Sequence, residues 1–109
     1  MLSEQINSEV KKFHNHSVLV LSGNNWHEGV IGIVAGRIKD RFHKPSIIIS
    51  INKDGIGKGS SRSVSGFDIG SAILSAVQNE ILIKGGGHKM AGGFSINVNK
   101  IKIFKPEWI

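Results

Sequence analysis

Glu28-Gly29-Val30-Ile31-Gly32-Ile33-Val34-Ala35-Gly36-Arg37-Ile38-Lys39-Asp40-Arg41-Phe42 carries the clearest periodic signal in this chain of 109 residues. Val30, Val34, Ile38 and Phe42 recur every four residues, with Ile31 and Ala35 beside them, which is the spacing of one apolar helix face. Gly32 and Gly36 add a groove of small residues, where another backbone is expected to pack closely. Lys39, Arg41 and Lys44 suit the negative end of the helix dipole, and Pro45 stops the helix. On either side stand short, continuous apolar runs. Ser17-Val18-Leu19-Val20-Leu21 is closed by the turn residues Ser22-Gly23-Asn24-Asn25, and Ser46 to Ile51 follows Pro45. Both are predicted as buried strands. Strands alternating with helices predict an α/β class, a single compact domain with a mixed β-sheet flanked by helices.

Beyond the second strand, Asn52-Lys53-Asp54-Gly55 has turn chemistry and Ile56 to Ser63 reads as a further extended strand. Asp68 is placed to cap a second helix whose apolar face is Ile69, Ala72, Ile73, Ala76 and Val77. A glycine-rich loop is expected at 85–87 and a last strand near Gly92 to Val98. At the front, residues 1–15 read as a polar connecting helix with Ile6, Val10 and Phe13 on one face. Lys100 to Ile109 alternates weakly and reads as a tail cut short.

Fourteen Lys and Arg stand against eight Asp and Glu, a net charge of +6 that favours a polyanionic partner such as nucleic acid. The absence of cysteine excludes disulfides and Cys-based zinc sites and makes a cytoplasmic protein the expectation. The first residues lack the basic and apolar pattern of a secretory signal, and no apolar run is long enough for a membrane span. The fourteen glycines, roughly twice the usual share, gather in three places rather than forming a linker: Gly29 to Gly36, Gly55 to Gly70 and Gly85 to Gly93.

The common nucleotide motifs fail residue by residue. A P-loop would need glycine where Asn52 stands and Ser or Thr where Gly59 stands. A dinucleotide fingerprint starting at Gly55 would need glycine at Ser60. His27-Glu28 does not open a zincin motif, because position 31 is Ile, and His14 and His16 have no third ligand nearby. What remains is phosphate chemistry without a named nucleotide motif. Lys58-Gly59-Ser60-Ser61-Arg62-Ser63 offers hydroxyls, cations and flanking glycines that can hold a phosphate, and it can equally be a polar edge strand. Gly85-Gly86-Gly87-His88 suits backbone approaching a ligand with His88 donating to a phosphate oxygen, or a plain helix-ending loop. Trp26-His27 at a helix start can line a cleft and stack on a base, or Trp26 can cover the core.

Taken together, Trp26 to Ile38, Lys44-Pro45-Ser46-Ile47-Ile48, Gly57 to Ser63 and Gly85 to Phe94 resemble the RecJ family in order and spacing. The likeness is to that family's DHH-associated domain and covers about residues 17–98. The Gly85-Gly86-Gly87-His88 element is shared across the wider DHH phosphoesterase superfamily. The Trp26 run together with Lys58 to Ser63 is more particular to RecJ. One departure is Ala91-Gly92-Gly93, where the family usually continues Ala-Ala-Gly.

The resemblance implies a division of the chain into a connector from an N-terminal DHH domain (1–16), the DHH-associated substrate-binding domain (17–99) and a tail (100–109). It implies an exonuclease that degrades single-stranded DNA from the 5′ end, in repair and recombination. Mn2+ or Mg2+ would be held by the DHH domain, with single-stranded DNA and that domain as partners. Ser60 and Arg62 would then bind backbone phosphate, Gly86, Gly87 and His88 would face the scissile phosphate, and Lys58 and Lys89 would support them. His88 would have a supporting catalytic role, and Trp26 and His27 would line the cleft. No metal ligation is expected from this chain, since Asp40, Asp54 and Asp68 are widely separated and there is no Asp-His-His run. Two other readings remain: a DHH-type phosphodiesterase acting on cyclic dinucleotides or short oligonucleotides, against which the Trp26 to Ile38 run argues, and a stand-alone nucleic-acid-binding module.

Overall fold

The computed structural model describes residues 18–104. The connector expected over 1–16, with His14 and His16, and residues 105–109 of the expected tail lie outside them. The elements run β1 (Leu19–Asn24), α1 (Glu28–Phe42), β2 (Ser46–Ile51), β3 (Ile56–Arg62), α2 (Ile69–Gln78), β4 (Lys84–Gly87), β5 (Ala91–Asn97), a 3-10 turn (Val98–Lys100) and α3 (Ile101–Phe104). The sheet order is β1-β2-β3-β5-β4. β1 and β2 are parallel, joined through α1, and every other pairing is antiparallel. This is the expected mixed α/β sheet between helices.

Strand alternation sorts the core onto two faces of the sheet. Leu19, Leu21 and Ile48 point to one side and pack with Ile31, Val34, Ala35 and Ile38 of α1. Ile47, Ile49, Phe94 and Ile96 point to the other, against Ile69, Ile73 and Ala76 of α2 and against Ile101 and Phe104 of α3. β2 is therefore buried on both faces, which is why its sequence is a continuous apolar run rather than an alternating one. Asp68 caps α2 where the sequence places it, accepting from Ser71 N–H at 3.1 Å. At the start of α1 the cap is His27, which the sequence did not mark as one: its Nδ1 accepts from Gly29 N–H at 3.0 Å.

Four local expectations are revised. First, β1 continues through Ser22, Gly23 and Asn24, because β2 offers a partner along its whole length, up to Asn24 opposite Ile51. Second, the buried stripe of α1 is Ile31, Val34, Ala35 and Ile38, and Val30 lies outside it, 38% exposed. Third, Gly85-Gly86-Gly87 is not a loop but the body of edge strand β4, paired through Gly85 with Phe94, Gly86 with Gly93 and Gly87 with Gly92. Backbone hydrogen bonds hold this strand, so it needs no side chains of its own. Fourth, Ile101 and Phe104 are buried, and the Phe104 ring lies 5.1 Å from that of Phe94. The packed unit thus runs past residue 99 to Phe104.

Candidate phosphate-binding face

β3 explains its own composition. Its alternate residues Gly57, Gly59 and Ser61 are buried. A side chain at Gly59 would collide with the Phe94 ring, so glycine there admits the aromatic core residue. Ser61 Oγ donates to Gly92 O at 3.0 Å, and Ser63 Oγ donates to Phe67 O at 2.7 Å. Of the hydroxyls that the sequence offers to a phosphate, Ser61 and Ser63 are thus buried and spent on the backbone. The other alternate residues, Lys58, Ser60 and Arg62, share the opposite face, toward α1.

Arg62 is held in place on that face. Its Nη1 donates to Ser61 O at 2.7 Å and to Ser60 Oγ at 3.3 Å. Its outer nitrogen lies under α1, so close that a methyl group on Gly32 would come within 2.9 Å of it and within 3.0 Å of Ser60 Oγ. The Gly32 and Gly36 groove therefore receives the Arg62 side chain, not another backbone as the sequence led us to expect. Helix α1 packs over β2 and β3. On the same side of β5 and β4 no helix covers the row at Gly86 and Gly93: both are exposed, and a methyl group on Gly86 would meet nothing within 4 Å, whereas Ser95 farther along β5 is buried.

The register assembles this face in rows. Lys58 lies opposite Ser95, which lies opposite Lys84. Ser60 lies opposite Gly93, which lies opposite Gly86. Arg62 lies opposite Ala91, whose carbonyl accepts from the His88 N–H at 2.8 Å. The structure thus brings Lys58, Ser60, Arg62 and Gly86 onto one face, with His88 at its end in the β4–β5 hairpin. Gly87 differs from Gly86, because a side chain on it would strike the Ala91 carbonyl and Gly92. Lys89 stands apart at the hairpin tip. Its carbonyl accepts from Ile69 N–H at 3.0 Å, and its charge helps to hold Asp68 ionised.

Trp26 and His27 sit at the far end of the domain, at the carboxyl ends of β1 and β2. The Trp26 ring covers Gly23 and packs against the α1 core. It also borders a depression with Asn25, His27, Glu28, Ser50 and Asn52. A second depression joins His88 and Lys89 to Asp68, Gly70 and Ser71 at the start of α2. The Asp68 carboxyl titrates below its ordinary range because Ser71 donates to it from its backbone N–H and its hydroxyl, with Lys89 adding a favourable charge. Lys84, Ser95 and Gly93 were not among the residues the sequence singled out. The signal that finds them is strand alternation on either side of Gly85 and Phe94, which a loop reading of the glycines conceals.

No carboxylate of the described residues forms an ion pair with Lys58, Arg62 or Lys84. Nor is there among them a group of three His, Cys, Asp or Glu side chains arranged to hold a metal ion. The described residues thus do not make up the metal centre that the family resemblance assigns to the DHH domain. No described helix is long and apolar enough to cross a membrane.

The fold and the face define a class: an α/β domain with one half of its sheet stripped to glycine backbone and cations. The chain belongs to the DHHA1 domain family, whose pattern it matches over residues 15–106. Among similar curated proteins are the single-stranded-DNA-specific exonuclease RecJ of Escherichia coli, 44% identical over 85 residues, and that of Bacillus subtilis, 33% identical over 102 residues. The matches cover 76% and 93% of this chain but only 15% and 13% of those proteins. The crystal structure of RecJ from Thermus thermophilus in complex with Mn2+ superposes with a TM-score of 0.80 at 30% identity, over 96% of this chain and 15% of that one.

Proposed function

We propose that this chain is the substrate-gripping domain of a RecJ-like 5′–3′ exonuclease, and that its bare, cationic half-sheet holds the phosphate backbone of single-stranded DNA. The observation that carries the reading is the immobilised Arg62 on the same face as exposed Gly86, which lies in the next row of the sheet. A guanidinium fixed from behind by Ser60, Ser61 and α1 loses little entropy on binding, and with Nη1 spent on those two residues its Nε–H and Nη2–H are left as the donors for one phosphate. Gly86, with open space where a side chain would be, lets the strand come down to the backbone. His88, at the same end, is placed to donate to a phosphate oxygen and to stabilise charge developing there. Gly87 keeps the hairpin tight, while Lys58 and Lys89 add attraction. Trp26 and His27 line the cleft at its other end.

Hydrolysis would be completed by Mn2+ or Mg2+ on a DHH domain outside these residues. The chain's own task is to bind and orient the phosphate and to stabilise its charge. Titration of labelled oligothymidylate tests this by fluorescence anisotropy. Binding is expected with a shallow salt dependence, since few phosphates are contacted. Arg62→Ala is expected to weaken it about tenfold, the worth of a lost charge-assisted pair. The purified chain supplied with Mn2+ is expected not to cut the strand. Undiminished binding by Arg62→Ala, or Mn2+-dependent cleavage by the chain alone, would contradict the proposal.

A further inference from the structure

The face carries cations at two places, and only one of them is Arg62. Lys84 begins β4, and the chain alternates after it: Gly85 directs its missing side chain into Ile73 and Phe94 on the α2 side, so Lys84 and Gly86 share the bare side. Lys84 pairs with Ser95, and Ser95 pairs with Lys58 across the next strand. The Lys58 ammonium already reaches inward, donating to Ser95 Oγ at 2.9 Å, and Ser95 itself is buried. Two lysines therefore flank one hydroxyl from neighbouring strands, with their Cα atoms about 10 Å apart by two strand spacings. No carboxylate of the described residues forms an ion pair with either of them. Along β3, Lys58 is four residues from Arg62, a separation of about 14 Å, so one phosphate cannot serve both ends. Between them lies only the small row Ser60, Gly93 and Gly86.

We propose that Lys58 and Lys84, on either side of Ser95, form a second phosphate subsite, so that a single strand lies over β5 and β4, beside α1, from the Arg62–His88 end to the Lys58–Lys84 end. This rests on the reading of the face given under Proposed function. It makes the domain a reader of strand length: a dinucleotide engages one end, and a longer strand engages both. The direction also carries the strand toward Trp26 and His27, since Lys58 pairs with Ser50, which borders their depression.

The test compares binding of the whole 109-residue chain to a thymidine dinucleotide and to an oligothymidylate of about eight residues, both without terminal phosphate. Lys84→Ala is expected to shrink the preference for the long strand about threefold and to lower its salt slope by about 0.7, the value of one single-strand phosphate contact. Lys102→Ala, an exposed charge of the same sign on α3 on the other side of the sheet, serves as the control and is expected to leave the preference unaltered. If Lys84→Ala and Lys102→Ala act alike while Arg62→Ala still weakens both ligands, the second subsite is refuted and the Arg62 grip stands. If Arg62→Ala weakens neither, the grip fails and the subsite with it.

Discussion

Gly32 shows how a residue with no reactive group can govern a site. A methyl group there would press on the outer nitrogen of Arg62 and on Ser60 Oγ, both ends of side chains that can move away. Alanine also favours the helix by about 1 kcal/mol over glycine. Gly32→Ala is therefore expected to leave Tm unchanged or raise it, while weakening oligothymidylate binding toward the level of Arg62→Ala. A raised Tm with full affinity would show that the packing of Arg62 under α1 has no bearing on the ligand. The sequence exposed Ser60, Arg62 and the glycines, but not this relation. Helical spacing identifies a groove of small residues without saying what fills it. The hydroxyls illustrate the same limit, for Ser60, Ser61 and Ser63 look alike in sequence. Only strand alternation and the backbone acceptors at Gly92 and Phe67 separate the open one from the two that hold the fold.

Among the elements, α2 and the β4–β5 hairpin are tied together at one corner. Asp68 caps the helix, Ile69 N–H donates to Lys89 O, and Gly70 sits so tightly on the hairpin that a side chain would come within 2.7 Å of His88 O. The Asp68 carboxyl is depressed below its ordinary value of 3.8, so the stability it contributes is fully present above that value and is lost as pH falls through the lower folded value. Thermal melts taken from about pH 5 down to pH 2 are expected to fall more steeply for the native chain than for Asp68→Asn, which keeps an acceptor but does not titrate. Equal slopes would show that the cap does not respond to protonation. Asp68, α1, β2 and β3 were all legible from residue type and period. The glycine strand was not, because glycine carries no preference for a strand and β4 exists only through its ladder with β5.

The whole molecule is an asymmetric sandwich. One face of the sheet is closed by α2 and α3, whereas the other is closed by α1 over β1 to β3 and left bare over β5 and β4. Family likeness reached from the motifs and the match to the DHHA1 domain agree, and the division between covered and bare sheet gives those motifs a common surface. The closing role of Phe104 was hidden for a simple reason: Ile101 and Phe104 are spaced as one helical turn, too short a stretch to show a period.

Backbone amide shifts recorded while oligothymidylate is added to the isotope-labelled chain test the central claim most directly. The largest changes are expected at Lys58, Ser60, Arg62, Gly86, His88 and Gly93, with little change at Leu74 on α2 or Ile103 on α3. Changes concentrated on the α2 and α3 side, with the bare half-sheet unmoved, would contradict the account.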